Sequence, residues 1–178
     1  MTDLHDLSDT LLERADLREA DLRGACLRYA DLSNAELDGC DAQGADLVAA
    51  TMRGCSLVDA VLDSADLTAT DLWQADLSRA RLDEALLTGA SLSDAKLREA
   101  DLSGAWLPDA DLLGADLTGA KLLGAHLTAE SWGGRRLLSA WRAANRLLKI
   151  SGWGRWVDGQ TGGGEAAVDK VGPELDSA

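Results

Sequence analysis

Leucine recurs every five residues from Leu7 to Leu127, and Ala42 and Met52 are the two departures from it. The position two before each leucine is nearly always alanine, and this frame holds without a break over residues 15–129. On an α-helix each step of five advances by about 500° around the axis. On a flat strand an odd step moves successive side chains to opposite faces. The pattern therefore predicts a chain that turns a corner at every repeat and keeps the same two positions facing a shared axis.

Self-similarity at a fixed period is the signature of a solenoid, in which each repeat buries its apolar side chains only by stacking on its neighbours. The quintets ADLRE at 15–19, ADLSN at 30–34 and AHLTA at 125–129 resemble the A-(D/N)-L-x-x repeat of the pentapeptide-repeat family, over roughly residues 5–129. The resemblance implies an all-β solenoid, a right-handed quadrilateral β-helix with four quintets per coil and about six coils. In that fold the central leucine and the residue two before it point inward.

The inward positions carry small and large residues in alternation, as a narrow, densely packed core requires. Cys40, Cys55 and Thr70 stand at alanine positions and are expected to be buried there. Cys26 replaces an aspartate next to a leucine, and we expect it to be partly exposed. Three cysteines without close spacing match neither a zinc site nor a disulfide framework, which favours a reducing cytoplasm.

Charge and periodicity together predict three segments. The solenoid segment, 1–130, holds 26 acidic and 10 basic residues, within a chain whose net charge is −14. Residues 131–156 hold six basic and no acidic residues, and residues 157–178 are Gly-rich and acidic without periodicity. We therefore expect a basic amphipathic helix with flanking tryptophans over 131–156 and a flexible tail over 157–178.

The helix is predicted from the sequence RRLLSAWRAANRLLKI at 135–150. At about 100° per residue, one face holds Leu137, Trp141, Ala144 and Leu148, and the opposite face holds Arg135, Arg142, Arg146 and Lys149. Two further tryptophans follow it. The candidate interaction residues of this segment are Arg135, Trp141, Arg142, Arg146, Leu148, Lys149, Trp153 and Trp156.

Three roles for this helix stay open. It would cap the end of the solenoid, where a hydrophobic core and unpaired strand edges are exposed. It would alternatively form a homodimer contact through Trp141 and the leucines. A basic helix flanked by tryptophan is also typical of a segment that lies in a membrane interface or binds an acidic partner, here over residues 132–156 with Trp153 and Trp156 as anchors.

Four quintets per coil would stack Asp31, Asp71 and Asp111 on one side of the rod. Some pentapeptide-repeat proteins are DNA mimics that bind type II topoisomerases, and an ordered column of carboxylates suits a groove built for phosphates. The structural alternative is that each aspartate bonds nearby backbone N–H groups at the turns, which would make acidity a property of the repeat. Unlike the quinolone-protection members, this chain has no phenylalanine and no inserted loops.

Outward aromatic residues mark a further candidate contact surface. Trp106 shares one predicted side of the rod with Tyr29 and Leu86, and Trp73 lies on the adjacent side with Leu113. Tryptophan outside the core is not needed for folding, and a contiguous apolar set is typical of a contact surface. Trp73 and Trp106 are therefore candidate interaction residues.

The sequence predicts no catalytic, cofactor or metal site. Its two histidines, His5 and His126, lie at opposite ends of the repeat, and it contains no phosphate-binding loop, HExxH motif or paired CxxC. We interpret the chain as a non-enzymatic interaction module, a scaffold or accessory subunit that binds another protein. We expect it in a bacterial cytoplasm, with attachment to the inner membrane as the second hypothesis, and we expect no direct binding of nucleic acid by the acidic rod.

Overall fold

A computed structural model of the protein describes residues 6–128 and the strand Arg155–Val157. The residue before each central leucine forms a parallel β-bridge with the residue 20 positions later, as in Asp31↔Thr51 and Thr51↔Asp71. Four quintets therefore complete one coil. Residues 6–128 form an all-β solenoid with four sides, the architecture that the resemblance to pentapeptide repeats implies.

Backbone hydrogen bonds join each coil to the next. The Leu22 N–H donates to the Asp41 carbonyl at 2.7 Å, and the Asp41 N–H donates to the Ala20 carbonyl at 2.9 Å. A third bond closes the turn between successive quintets, from the Ala25 N–H to the Leu22 carbonyl at 3.0 Å. Because the pattern repeats along the rod, stacking satisfies the backbone polar groups without long strands.

The residue two after each central leucine turns the corner. From Asp9 to Gly124, this residue has φ between +55° and +76° in every quintet. That left-handed region costs an ordinary L-residue about 1–2 kcal/mol and costs glycine very little. Glycine, as at Gly44, therefore adopts the corner conformation without strain. Residues with a side chain, such as Tyr29 and Ala49, adopt it at a free-energy cost.

The core is the inward stack of leucine and alanine that the sequence predicts, and the inward leucines between Leu27 and Leu107 are buried. Cys40 and Cys55 are buried and Cys26 is partly exposed, as expected. Burial raises the pKa of the Cys40 thiol to about 11 and that of the Cys55 thiol to about 12. Both thiols are therefore protonated at neutral pH and act as small apolar side chains.

Three short strands lie side by side at the C-terminal end of one side of the rod. They are β1 (Trp106–Leu107), β2 (His126–Thr128) and β3 (Arg155–Val157), and they pair in parallel in the order β1-β2-β3. The strand β3 adds a further backbone rung to the column that the coils build on this side.

The sequence did not predict β3, because its three residues carry no part of the quintet pattern. Its register places Trp156 opposite Leu127 and Val157 opposite Thr128. The helix predicted over 135–150 lies outside the described residues, and so does the tail predicted over 157–178 apart from Val157, which belongs to β3.

Candidate functional site

The aspartate before each leucine serves the turn that follows it. The Oδ1 of Asp31 accepts the Ser33 N–H at 3.0 Å, and the Oδ1 of Asp111 accepts the Leu113 N–H at 3.0 Å. Asp71 accepts the equivalent bond. These contacts support the structural interpretation of the repeat's acidity, and a binding role for these aspartates would come in addition to it.

The predicted column of Asp31, Asp71 and Asp111 is present on one side of the rod, with Thr51 and Ser91 between its members. Its charge is partly compensated. Asp71 pairs with the Nε of Arg53 at 2.6 Å, and Asp111 accepts the hydroxyl of Ser93 at 2.6 Å. Hydrogen bonds from Ser33 hold the pKa of Asp31 below its usual value, so this carboxylate is ionised at neutral pH.

Within residues 66–125, lysine and arginine occur on only two of the four sides of the rod. These sides are formed by residues 75–85, 95–105 and 115–125. Each basic side chain there forms an ion pair with an aspartate of an adjacent coil. The pairs are Arg79 with Asp59, Arg81 with Asp63, Lys96 with Asp76, Arg98 with Asp116, and Lys121 with Asp101.

The other two sides of the same coils contain no lysine or arginine. They are formed by residues 66–74, 86–94 and 106–114, which we call the acidic apolar surface. The carboxylates of this surface therefore have no basic partner within these coils, and Asp71 pairs with Arg53 of the preceding coil.

Large apolar side chains are exposed on the acidic apolar surface. Trp73 and Trp106 are each 41% exposed, Leu86 is 43% exposed and Leu113 is 54% exposed. Leu86 and Trp106 are bridge partners in consecutive coils on one side. Trp73 and Leu113 occupy the same column of the adjacent side, two coils apart. The structure thus places Trp73 and Trp106, the two tryptophans singled out in the sequence, on two adjacent sides of the rod that meet at one corner.

The corner between these two sides is lined by small residues in two of the three coils. Ala69 and Gly89 occupy this corner, and Asp109 follows in the next coil. No large side chain therefore projects from this corner in these two coils.

Three exposed carboxylates of the surface, Asp94, Asp109 and Asp111, form no ion pair with any residue that the structure describes. Asp94 and Asp109 are corner residues with φ of +57° and +58°. These two carboxylates were not predicted from the sequence, because they do not belong to the columns of aspartate before leucine. The sequence does contain a pattern that indicates this surface. When the chain is divided into coils of 20 residues, lysine and arginine are absent from two of the four sides over residues 66–114.

The candidates of the 131–156 segment lie outside the described residues, except for the backbone of Trp156 in β3. Within residues 6–128, no group of three or more His, Cys, Asp or Glu side chains is arranged to hold a metal ion. The described part of the chain also contains no helix long and apolar enough to cross a membrane.

Comparison with known proteins identifies the repeat. The family model for pentapeptide repeats matches in eight copies, over 6–39, 15–54, 30–68, 55–94, 65–104 and 95–129. No curated protein matches the chain.

Several solved structures are similar to this chain. HetL, a pentapeptide-repeat protein involved in heterocyst differentiation regulation in Nostoc sp. strain PCC 7120, is 34% identical, with 69% of this chain and 73% of HetL covered and a TM-score of 0.44. Rfr23 from Cyanothece 51142 is 33% identical, over 54% of this chain and 58% of its own, with a TM-score of 0.42. Trypsin-treated QnrB1, a plasmid-mediated fluoroquinolone resistance protein, is 19% identical, over 84% of this chain and 97% of its own, with a TM-score of 0.54. At that identity the likeness to QnrB1 concerns the fold alone.

Proposed function

Because this chain belongs to the pentapeptide-repeat family, we propose that it is a non-catalytic protein-interaction module, a scaffold or accessory subunit of the bacterial cytoplasm. It binds another protein through the acidic apolar surface. The coils supply a rigid frame, and the side chains on this surface supply the contacts.

The observation that supports this proposal is the segregation of side chains around the rod. Two exposed tryptophans and two exposed leucines lie on the sides that lack basic residues. Folding requires neither feature, since the leucine and alanine columns already form the core. Tryptophan is enriched at the energetic centres of protein interfaces, and a contiguous exposed apolar set is typical of a contact surface.

The test is affinity capture from a lysate of the source organism, with the full chain as bait. A Trp73→Ser and Trp106→Ser double variant removes the two indoles. The matched control is Leu11→Ser with Leu123→Ser, because these leucines are 85% and 70% exposed and lie outside the acidic apolar surface. Circular dichroism confirms that all baits are folded.

We expect the wild-type and control baits to enrich the same protein, and the tryptophan variant to lose it. If the tryptophan variant enriches that protein as strongly as the wild type does, the acidic apolar surface is not the binding surface. If the control bait alone loses it, the contact lies on another part of the rod.

Topoisomerase mimicry is a separate hypothesis, and it rests on the column of Asp31, Asp71 and Asp111. Replacing all three by lysine would abolish any effect of the protein on DNA supercoiling by gyrase. An effect that persists in the triple variant would remove this column from consideration.

Membrane attachment through residues 132–156 also stays a hypothesis. Flotation of the full chain with anionic liposomes tests it, with Trp141→Asp and Leu148→Asp as the variant. Co-flotation of the wild type that the variant loses, while both remain folded, would support attachment to a membrane.

A further inference from the structure

We infer that the partner binds the acidic apolar surface with a cationic amphipathic helix that lies along the rod. This inference rests on the proposed function and specifies the chemistry of the partner at the same surface. The partner helix would carry lysine or arginine beside aromatic or aliphatic side chains.

The charge of the acidic apolar surface favours a cationic partner. The carboxylates of Asp94, Asp109 and Asp111 are exposed and form no ion pair within the described residues, and the surface has no basic side chain of its own. An approaching cation therefore meets no repulsion from a lysine or arginine of the surface and finds carboxylates to pair with. Complementary charge of this kind favours association and fixes orientation.

The exposed apolar side chains favour a partner that also has an apolar face over one that is only polar and cationic. Trp73, Leu86, Trp106 and Leu113 interleave with the carboxylates. A polar cationic chain would leave these side chains in water, whereas a helix with an apolar stripe would bury them and gain about 25 cal/mol per Å² of apolar surface removed from water.

The spacing of the exposed apolar residues along the rod matches that of a helix. Coils stack about 4.8 Å apart, so Leu86 and Trp106 are about 5 Å apart along the rod, and Trp73 and Leu113 are about 10 Å apart. A helix rises about 1.5 Å per residue, which separates positions i and i+3 by about 5 Å and positions i and i+7 by about 10 Å. The apolar stripe of a helix parallel to the rod axis therefore matches the period of the exposed apolar residues.

The corner between the two sides leaves room for such a helix. Ala69 and Gly89 present almost no side chain there, so a helix that lies along this corner is flanked by Leu86 on one side and Trp73 on the other. Asp109 continues this corner at one end, and Asp94 lies on the far corner of the adjacent side. Basic residues that flank the apolar stripe would reach these two carboxylates.

The experiment titrates a fluorescently labelled peptide with the full chain and measures anisotropy. The probe is a peptide of about 16 residues built from Leu, Trp, Lys, Arg and Ala, with apolar residues at i, i+3, i+4 and i+7. One control peptide has the same composition in an order without an amphipathic stripe. A second control keeps the basic residues and replaces the apolar ones by serine.

Matched protein variants locate the contact. Asp94→Asn with Asp109→Asn removes two charges from the surface, and asparagine tolerates the left-handed corner conformation. Glu19→Gln with Glu99→Gln removes two charges from corners with the same φ on the opposite edge of the rod. We expect the first variant to weaken binding about three- to tenfold, as two exposed charge pairs would, and the second to leave it unchanged.

We expect that of the three peptides only the amphipathic one binds. Asp94→Asn with Asp109→Asn should weaken this binding, and Trp73→Ser with Trp106→Ser should abolish it. Equal binding of the serine peptide, or equal binding by both charge variants, would overturn the inference. If the wild type binds no probe but a chain with Arg142→Glu and Arg146→Glu does, the occupant is the protein's own basic segment and the inference is wrong. If the tryptophan variant loses its captured partner while no probe binds any chain, the proposed function stands and the partner chemistry fails.

Discussion

The indole of Trp106 lies against the imidazole of His126, with ring centroids 4.4 Å apart and ring planes inclined by 39°. Trp106 belongs to β1 and His126 to β2, so the two rings form a cross-strand pair between consecutive coils. The pair supports the indole on one side and leaves 41% of Trp106 exposed. An aromatic side chain held in place in this way loses little freedom when a partner binds.

Trp106→Ala should therefore cost little stability, and the neighbouring Leu107→Ala should cost much. The indole contributes about 0.5–1.5 kcal/mol through its aromatic contact. Leu107 is fully buried, and truncating a buried leucine costs about 2–5 kcal/mol. Urea unfolding at neutral pH measures both. Equal losses in the two variants would mean that Trp106 is a structural residue and not one reserved for contact.

Corner glycines should be more stabilising than corner alanines. Gly44 has φ of +66°, and an added Cβ would meet nothing within 4 Å, so Gly44→Ala isolates the cost of the left-handed backbone. We expect it to destabilise the protein by about 1 kcal/mol. The reverse change, Ala49→Gly at φ of +56°, should raise stability. A loss of stability in Ala49→Gly would contradict this account of the corners.

The ion pair of Asp63 should contribute more to the free energy of unfolding than the ion pair of Asp59. Asp63 is 6% exposed, pairs with Arg81 and accepts the Asp83 N–H at 3.2 Å. Asp63→Asn should therefore cost about 1–3 kcal/mol, because it removes the charge from a buried hydrogen-bonded pair. Asp59, which pairs with Arg79 in the open, is the control. Urea midpoints that fall equally in Asp59→Asn and Asp63→Asn would contradict the role assigned to burial.

Acid should destabilise the rod over a defined range. Hydrogen bonds from Arg18 lower the pKa of Asp16 from 3.8 to about 2, and hydrogen bonds from Arg79 and Ser33 lower those of Asp59 and Asp31. Because the folded pKa lies below the unfolded one, these carboxylates stabilise the fold fully above pH 3.8 and lose that effect as the pH falls toward 2. Urea midpoints measured across this range should fall with pH. A midpoint that stays constant from pH 5 to pH 2 would show that these contacts add no stability.

The frame of the repeat sufficed to predict a solenoid, its inward columns and the states of Cys26, Cys40 and Cys55, and the resemblance to pentapeptide repeats supplied the four sides of the coil. These follow because a fixed period, once wrapped, assigns every residue a side of the rod. The strand β3 did not follow, since Arg155–Val157 belongs to no repeat and acquires its conformation by pairing with β2. The proposed roles of Asp94 and Asp109 did not follow either, because that proposal depends on where the basic residues lie around the coil.

The central claim is that the acidic apolar surface contacts another protein in the cell. Site-specific photo-crosslinking tests it most directly, with a photoreactive phenylalanine derivative in place of Leu113 on that surface or of Arg98 on the opposite sides. We predict one discrete protein adduct from position 113 and none from position 98. An adduct from position 98 alone, or the same adduct from both positions, would contradict the account.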